Sequence, residues 1–361
     1  MCRFIINTNE ILENLRKAKG IVGRKVKICA VVKANAYGFG QNKICTLLKN
    51  SVDYFAVARL SEFLKYRELD INKPCLILSP LFSNELVVAI KNGAEVTVDS
   101  LETLERVERI ALKFNIIAKI HIKLDTGMNR YGIKDENELK RVLERLKQCD
   151  NVKLIGCYSH LFEATSKNVV TIQRERFLCF KSIIESSNPN CLFHLANSKG
   201  LLNKENHFDM VRLGFDLYSS ENSEHKFITQ ISAVKEVKKG ETISYNANYK
   251  AKKDITIAIC SAGYADGVNR HLEDFYVLIN GKKARIIGNI CMDSFMVDIS
   301  NIEAKVCDEV VIFGKSEERV ISVCDLANYC ATIPYEIFTN ISSRVKRVYR
   351  WRNYAGYCRK V

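Results

Sequence analysis

The segment Lys27–Gly38, which reads KICAVVKANAYG, gives the clearest indication of the fold. Its first part is a short apolar run typical of a buried strand, and this strand is predicted to end at Lys33. Similar runs follow, with amphipathic helical stretches between them. The predicted strands are Lys27–Lys33, Tyr54–Ala58, Pro74–Ser79, Glu95–Asp99, Ala118–Asp125, Leu154–His160, Cys191–Asn197 and Met210–Gly214. Strands that alternate with helices in this way predict an α/β fold, and we expect a closed (β/α)8 barrel of the TIM type rather than an open doubly wound sheet.

The chain changes character after Tyr218. Ser219–Glu224 is polar and predicts a linker, and beyond it short apolar runs alternate with Gly and Asn turns. Asn280-Gly281 between two such runs predicts a β-hairpin, and Val323–Tyr329 predicts a helix. We therefore expect a barrel domain over residues 8–222 and a mostly β domain over residues 223–361, with residues 1–7 as a candidate addition to the second domain.

The composition excludes several classes of protein. The 361 residues are 47% hydrophobic and 27% charged, which is typical of a folded chain and excludes a disordered or collagen-like one. No apolar run approaches the ~18 residues of a transmembrane helix, and the N-terminal residues lack the apolar core of a signal peptide, so we expect a cytoplasmic protein with no membrane partner. The 14 cysteines form no CxxC pair and are expected to be reduced. No metal is expected, because His121 and His207 have no partner at metal-ligand spacing and Cys291 has no second thiol nearby.

Basic residues exceed acidic residues by 14. Seven of them occur between residues 344 and 360 with no acidic residue, namely Arg344, Lys346, Arg347, Arg350, Arg352, Arg359 and Lys360. Such a cluster would suit a nucleic acid, but no recognition motif accompanies it, and we interpret it as a solvated surface. A site for small anions, such as phosphate or carboxylate, is also compatible with this charge.

Polar and cationic residues stand at the predicted carboxyl ends of the strands, where the loops of a barrel build an active site. They are Lys33, Lys123, His160, Asn197, Ser198 and Arg212, with Arg130 shortly after Lys123 and Gly214 close to Arg212. A lysine ringed by cations has a lowered pKa, because burial and like charges both disfavour its ammonium form, and such an amine forms Schiff bases. Ser198 and the backbone near Gly214 suit a phosphate, and Arg212 suits a ring nitrogen. Together these residues predict that the chain binds pyridoxal 5'-phosphate through Lys33.

Seven motifs of the chain resemble those of the alanine racemases, which are fold-type III pyridoxal-phosphate enzymes. The resemblance extends from Asn7 to Tyr349. Its most specific part is Ala30–Gly38, which resembles the family's cofactor-lysine signature. The other motifs are Lys123–Arg130, His194–Ser198, Arg212–Gly214, Gly263–Gly267, Cys291–Asp293 and Ile333–Glu336.

The resemblance implies a role for each matched residue. Lys33 would bind the cofactor aldehyde and act as one base, and Tyr245 would be the opposite base, supplied across a homodimer interface by the partner chain. The cofactor contacts would come from Tyr37, Arg130, His160, Asn197, Ser198, Arg212, Gly214, Phe215 and Tyr335, with His160 supporting Arg212. The substrate contacts would be Arg130 and the backbone amide of Met292, and the entrance would be lined by Tyr264, Arg270 and Asp293. Lys123 matches a lysine that is carbamylated in many members.

The chemistry agrees with these implied roles. Racemisation removes a proton from one face of Cα and returns one to the other face, so two bases must flank the carbon. An arginine is always protonated, and Arg212 would therefore leave the pyridine nitrogen unprotonated. That limits delocalisation of the carbanion and suppresses side reactions such as transamination. Arg212 thus favours a racemase over a decarboxylase.

Four positions depart from the pattern that the resemblance implies. Phe39 stands where a histidine is common, and Asn246 stands where a glycine often follows the catalytic tyrosine. An acidic residue is common near Thr165, and an arginine is common near Asn289. The last two positions belong to the substrate corridor of the family, so substrate entry and substrate range are the properties that these departures put in question.

We expect a homodimeric alanine racemase that supplies D-alanine for cell-wall peptidoglycan. A serine racemase or a broad-specificity racemase on the same scaffold is the alternative. A non-catalytic pyridoxal-phosphate-binding protein is a further alternative, but such proteins are single barrels, whereas this chain adds a second domain that carries Tyr245 and Met292. A basic nucleic-acid-binding protein is the least favoured reading.

Overall fold

The computed structural model describes residues 2–219 and 223–351. The chain divides into two compact units, one of Asn14–Ala36 with Gly40–Leu217, and the other of Met1–Glu13 with Tyr37–Phe39 and Tyr218–Val361. Residues 220–222 of the predicted linker lie outside the described residues, as do Arg352, Arg359 and Lys360 of the basic cluster.

The first elements of the chain are a strand, β1 (Arg3–Asn7), and a helix, α1 (Thr8–Val22). The barrel strands follow as β2 (Lys27–Val31), β3 (Tyr54–Val57), β4 (Cys75–Ile77), β5 (Glu95–Val98), β6 (Ala118–Lys123), β7 (Val152–Tyr158), β8 (Leu192–His194) and β9 (Met210–Leu213). The helices of this part of the chain are α2 (Lys33–Tyr37), α3 (Gln41–Leu48), α4 (Leu60–Arg67), α5 (Ser83–Lys91), α6 (Leu101–Phe114), α7 (Glu136–Lys147), α8 (Lys167–Glu185) and α9 (Phe215–Tyr218).

The eight strands are parallel and follow the order β8-β7-β6-β5-β4-β3-β2-β9. β9 pairs with β2 from Lys27↔Met210 to Ala30↔Leu213, and a single parallel bridge between Asn197 and Arg212 links the β8 and β9 sides. The sheet is therefore a nearly closed barrel, and the predicted fold class is confirmed. Every predicted barrel strand is present, but each ends one to three residues before its predicted end, and the first ends at Val31, two residues before Lys33.

Strands of this barrel read as apolar runs because both of their faces are covered. Two of the helices between them begin at side-chain caps. Asp135 accepts a hydrogen bond from the backbone N–H of Glu138 at the start of α7, and Ser100 accepts one from Thr103 at the start of α6. These caps satisfy N–H groups that have no partner within the helix, so the polar residue before each of these two helices fixes where it starts.

The further strands of the second unit are β10 (Lys226–Val237), β11 (Thr242–Ile243), β12 (Tyr249–Lys250), β13 (Ile255–Cys260), β14 (Tyr276–Ile279), β15 (Lys282–Ile287), β16 (Phe295–Asp298), β17 (Glu309–Ser316), β18 (Arg319–Ile321) and β19 (Lys346–Arg350), and its helices are α10 (Val323–Tyr329) and α11 (Pro334–Thr339). Nine strands form one sheet of order β18-β17-β14-β15-β16-β13-β10-β1-β19, and β11 and β12 form a separate two-stranded sheet. β1 pairs with β10 antiparallel and with β19 parallel.

Two local predictions for this unit are confirmed. Asn280 and Gly281 have φ of 46° and 68° and connect β14 to β15, as a two-residue hairpin with both central residues left-handed requires. α10 has the predicted bounds. α11 was not predicted, since Pro334 starts a helix too short to show a periodic pattern.

Phe39 belongs to an aromatic core of the second unit. Its ring lies 5.1 Å from the ring of Phe4, 4.9 Å from Phe338 and 4.8 Å from the imidazole of His225. The side chain is fully buried, so an apolar ring suits this position better than a polar one.

Two further observations concern the whole described part of the chain. None of its helices combines the length and the apolar composition needed to cross a membrane. The thirteen described cysteines are free thiols, most of them buried among apolar side chains.

Candidate functional site

Lys33 opens a turn of unusual backbone conformation. The residues after it, Ala34, Asn35 and Ala36, have φ between 52° and 55°, and the turn is therefore left-handed. This conformation costs an L-residue other than glycine about 1–2 kcal/mol. Glu62 offsets part of that cost, because its Oε1 accepts the N–H of Ala34 at 2.7 Å. The sequence reasoning missed Glu62, whose only sequence signal is an acidic residue in the first turn of α4.

Lys33 is an amine with lowered basicity. Burial lowers its pKa, the charge of Arg130 lowers it further, and Glu62 acts in the opposite direction. The pKa of Lys123 is lowered to about 8 by burial and by the charges of Arg130 and Arg212. The Lys123 ammonium also lies 5.4 Å from the ring centre of Tyr158. The barrel thus gathers cations at the carboxyl ends of its strands, which is the environment that activates a lysine as a nucleophile.

Arg212 is buried and held by four hydrogen bonds. Its Nη1 donates to Nδ1 of His194 at 2.8 Å and to the carbonyl oxygen of His194 at 2.9 Å. Its Nη2 donates to the carbonyl oxygens of Ser159 and Leu195. The histidine that holds the guanidinium is therefore His194, whereas the predicted supporting residue was His160. The charge of Arg212 acts on His160 as well, since burial and that charge lower the pKa of His160 to about 3.

A chain of buried side chains continues from His194. Its Nε2 lies 3.0 Å from Nδ1 of His121, and Nε2 of His121 lies 2.8 Å from Oε2 of Glu95. A guanidinium only donates, so Nδ1 of His194 accepts, and its proton is on Nε2. The same reasoning places the proton of His121 on Nε2, where it is donated to Glu95. We call Glu95, His121, His194 and Arg212 the interior relay.

The interior relay brings a carboxylate and a guanidinium together through two neutral rings. Burial, followed by the charge of Arg212, lowers the pKa of His194, which agrees with a neutral ring. The sequence placed His194 in the motif His194–Ser198 without giving it a contact, and it pointed to no role for His121 or Glu95. An acidic residue inside an apolar strand was the available signal for Glu95.

The arrangement of Arg212 fits a ring nitrogen that carries no proton. Its two terminal nitrogens use their four N–H groups in the hydrogen bonds described above, so the fifth N–H, on Nε, remains for a ligand. Such a donor needs an acceptor, and a deprotonated pyridine nitrogen is one. The residues present therefore suit pyridoxal phosphate.

The predicted phosphate residues Ser198 and Gly214 are brought together. The N–H of Gly214 donates to Oγ of Ser198 at 2.8 Å, and the hydroxyl hydrogen of Ser198 remains available to a ligand. Asn197 uses its side chain differently, since it donates to the carbonyl oxygen of Leu161 and accepts from the N–H of Gly200. Phe215 follows Gly214 as the first residue of α9.

In the second unit, the structure brings Tyr264 and Met292 together. The N–H of Tyr264 donates to the carbonyl oxygen of Cys291, and a Cβ on Gly263 would lie 2.2 Å from the carbonyl oxygen of Met292. Only glycine allows this approach of the two loops. Tyr264 and Met292 are both exposed within their own chain.

The other predicted residues of this unit have varied surroundings. The ring of Tyr37 lies 6.1 Å from that of Tyr335. Asp293, a predicted entrance residue, accepts a hydrogen bond at 2.7 Å from Arg344, a member of the basic cluster. Arg270 begins a 3-10 turn. Tyr245 begins another such turn, and its side chain is 69% exposed.

Comparison with known proteins now identifies the family. The family model of the alanine racemase N-terminal domain matches residues 6–222, and that of the C-terminal domain matches residues 225–349. The chain belongs to the alanine racemase family. It is accordingly an enzyme of the isomerase class, an amino-acid racemase.

The relatives match over nearly their whole length. The chain is 38% identical to alanine racemase 2 of Caldanaerobacter subterraneus subsp. tengcongensis, with 97% of this chain and 95% of that protein covered. It is 34% identical to alanine racemase 1 of Bacillus subtilis, with 95% and 92% covered. Among solved structures, alanine racemase of Clostridium difficile is 33% identical with a TM-score of 0.90, covering 96% of this chain and 95% of that one. Alanine racemase of Bacillus anthracis with bound L-Ala-P is 32% identical with a TM-score of 0.91, covering 99% and 96%.

Proposed function

We propose that this family member interconverts L-alanine and D-alanine with bound pyridoxal phosphate and two bases, Lys33 and the partner's Tyr245. The observation that carries the proposal is the buried Arg212, which is held by uncharged acceptors and keeps one N–H for a ring nitrogen. The names of the alanine racemases to which the chain is similar agree with this assignment. Lys33, with its lowered pKa, is the amine that would hold the cofactor aldehyde.

The cofactor, when bound, withdraws electrons from the substrate and so makes its Cα proton acidic. The protein residues supply binding and proton transfer. Ser198 and Gly214 would bind the phosphate, with Tyr37, Tyr335 and Phe215 as further contacts of the same group, and Arg130 would contact the phenolic oxygen.

The two bases act on opposite faces of Cα. Lys33 holds or removes the proton on one face at its Nζ, and the phenol oxygen of Tyr245 does so on the other face. A tyrosine has an ordinary pKa of ~10, so it needs cationic surroundings to act as a base near neutral pH. We propose a homodimer for this reason, since the partner chain would supply Tyr245 to the cations of the barrel.

The substrate preference is proposed from the residues that would surround its side chain. Tyr335 and Met292 would limit that side chain to a methyl group, and the backbone amide of Met292 would bind the carboxylate together with Arg130. Tyr264, Arg270 and Asp293 would line the entrance. Supply of D-alanine for peptidoglycan and a cytoplasmic location stay predictions.

The test is Cα proton exchange in deuterated water. Incubation of the purified protein with L-alanine should give deuterium at Cα of both enantiomers, and Tyr245→Phe should abolish interconversion while the cofactor stays bound. Borohydride reduction followed by peptide mapping should mark Lys33. A yellow protein that exchanges no proton would instead favour a non-catalytic binding protein, and marking of another amine would refute the role of Lys33.

A further inference from the structure

We propose that Ser244 and Asn289 are positioning residues that hold Tyr245 in place for proton transfer. The proposal rests on the proposed role of Tyr245 as a base. The two residues belong to different loops of the second unit, one after β11 and the other after β15.

The two loops are joined by reciprocal hydrogen bonds. Oγ of Ser244 donates to the carbonyl oxygen of Asn289 at 2.7 Å, and Nδ2 of Asn289 donates to the carbonyl oxygen of Tyr245 at 2.9 Å. We call this pair of bonds the 244–289 clasp. It contacts the backbone of Tyr245 directly and leaves its phenol ring free.

The backbone around Tyr245 needs such support. Ser244 has φ of 70° and ψ of −178°, a region populated almost only by glycine, and Asn246 and Ala247 have φ of 62° and 52°. Non-glycine residues in these regions cost about 1–3 kcal/mol each and persist only where the surroundings hold them. The ring of Tyr245 is mostly exposed in its own chain, so side-chain packing contributes little to its position. Asn246, which replaces a common glycine, is a residue type that tolerates the left-handed region.

An apolar cluster fixes both ends of the clasp. Ile243 and Ile287 are buried in the same cluster, which also contains Met296. Gly288 has φ of 68°, and a Cβ on it would lie 2.8 Å from Cβ of Ser244. The backbones of the two loops therefore lie close together, with Ile243 one residue before Ser244 and Ile287 two residues before Asn289.

A neighbouring carboxylate orients the amide of Asn289. Glu273 accepts from Nδ2 of Asn248, because a carboxylate only accepts. The same Nδ2 lies 3.4 Å from Oδ1 of Asn289 and faces it as a donor. Oδ1 of Asn289 therefore points to Asn248, and its Nδ2 points to Tyr245. Tyr329 donates to the carbonyl oxygen of Glu273 at 2.7 Å and ties that residue to α10.

The 244–289 clasp should affect the rate of proton transfer by Tyr245. A base must lie within hydrogen-bond reach of the proton that it removes. The phenol oxygen is far from Cα of Tyr245, so a small rotation of the backbone moves that oxygen by a larger distance. Loss of the clasp should slow proton transfer on the face of the substrate that Tyr245 serves and leave the Lys33 face unchanged.

The experiment measures Cα proton exchange from each enantiomer separately, as initial rates in deuterated water with the cofactor-loaded protein. The variants are Asn289→Ala, Asn289→Asp, which keeps the size but replaces the donor by an acceptor, and Tyr245→Phe. Asn92→Ala is the matched control, since Asn92 also donates its Nδ2 to a backbone carbonyl, at 2.8 Å, but in the barrel unit. Deuterium exchange at the backbone amides of residues 245–248 is followed in the same variants.

We expect both Asn289 variants to lower exchange from one enantiomer about tenfold, which corresponds to about 1.4 kcal/mol. It should be the enantiomer that Tyr245→Phe affects, and exchange from the other should stay within about twofold. KM should change little, and the amides of residues 245–248 should exchange faster than in Asn92→Ala. Equal slowing of both enantiomers, or no slowing while Tyr245→Phe remains selective, would overturn the positioning role alone. If Tyr245→Phe is itself unselective, the role of Tyr245 as a base fails, and the clasp proposal fails with it.

Discussion

Replacement of Glu95 by glutamine tests whether the interior relay stabilises the barrel through the charge of its carboxylate. Glu95 and His121 are both buried, and 2.8 Å separates Oε2 from Nε2. A glutamine can still accept from Nε2 of His121, so Glu95→Gln removes the charge and keeps a hydrogen bond. Glu95→Ala removes the acceptor as well.

The magnitude follows from the kind of bond that each variant leaves. A hydrogen bond to a charged group contributes about 1.5–3 kcal/mol to stability and a neutral one about 0.5–1.5 kcal/mol, so Glu95→Gln should cost about 1–2 kcal/mol. Glu95→Ala leaves the buried N–H of His121 without an acceptor and should cost about 3 kcal/mol. The matched control is Glu108→Gln on the outside of the barrel. Its partner Arg145 has a side chain that is 42% exposed, so water screens this pair more than it screens the pair of Glu95 and the fully buried His121.

The assay is urea unfolding of the full-length protein at neutral pH, followed by circular dichroism, with midpoints compared at equal slope. The expected order of destabilisation is Glu95→Ala, then Glu95→Gln, then Glu108→Gln. The reasoning is refuted if Glu95→Gln costs no more than Glu108→Gln, since the carboxylate charge then adds nothing through the two histidines.

Three further predictions concern other parts of the molecule. His160 has a pKa near 6.5 in the unfolded chain and about 3 in the folded chain, so the unfolded state binds more protons between these values and the folded state loses stability as the pH falls. From pH 6.5 to about pH 5, the free energy of unfolding should fall by about 2 kcal/mol. Urea titrations of His160→Gln should show a smaller dependence of this free energy on pH. Gly38→Ala should destabilise the folded protein by about 3 kcal/mol, because the φ of Gly38 is 87° and a Cβ there would lie 2.1 Å from the carbonyl oxygen of Phe338. Gly20→Ala in α1 should instead stabilise the protein slightly, because nothing lies within 4 Å of the added Cβ. Thermal melts of the two variants distinguish the two effects. Lys123, with a pKa of about 8, should form a carbamate with carbon-13-labelled bicarbonate above that pH, and the carbon-13 resonance should be missing in Lys123→Arg.

The sequence alone was enough to predict most of the elements and to select Lys33 as the candidate cofactor lysine. The barrel strands were predictable because a strand covered on both faces is a continuous apolar run, and the β14–β15 hairpin because Asn280-Gly281 satisfies a local conformational demand. Lys33 was identified by its position after such a run. Each of these features depends on residues that are close together along the chain.

The contacts between side chains of different elements became known only from the tertiary structure. His194, rather than His160, holds Arg212. His194 in turn contacts His121, 73 positions away in sequence, because the nearly closed barrel brings side chains of β6 and β8 together. The contact between Asn289 and Tyr245 joins two loops 44 positions apart, and it forms because Ile243 and Ile287 are buried in one apolar cluster. Such contacts cannot be predicted from short stretches of sequence, because they depend on the packing of the whole unit.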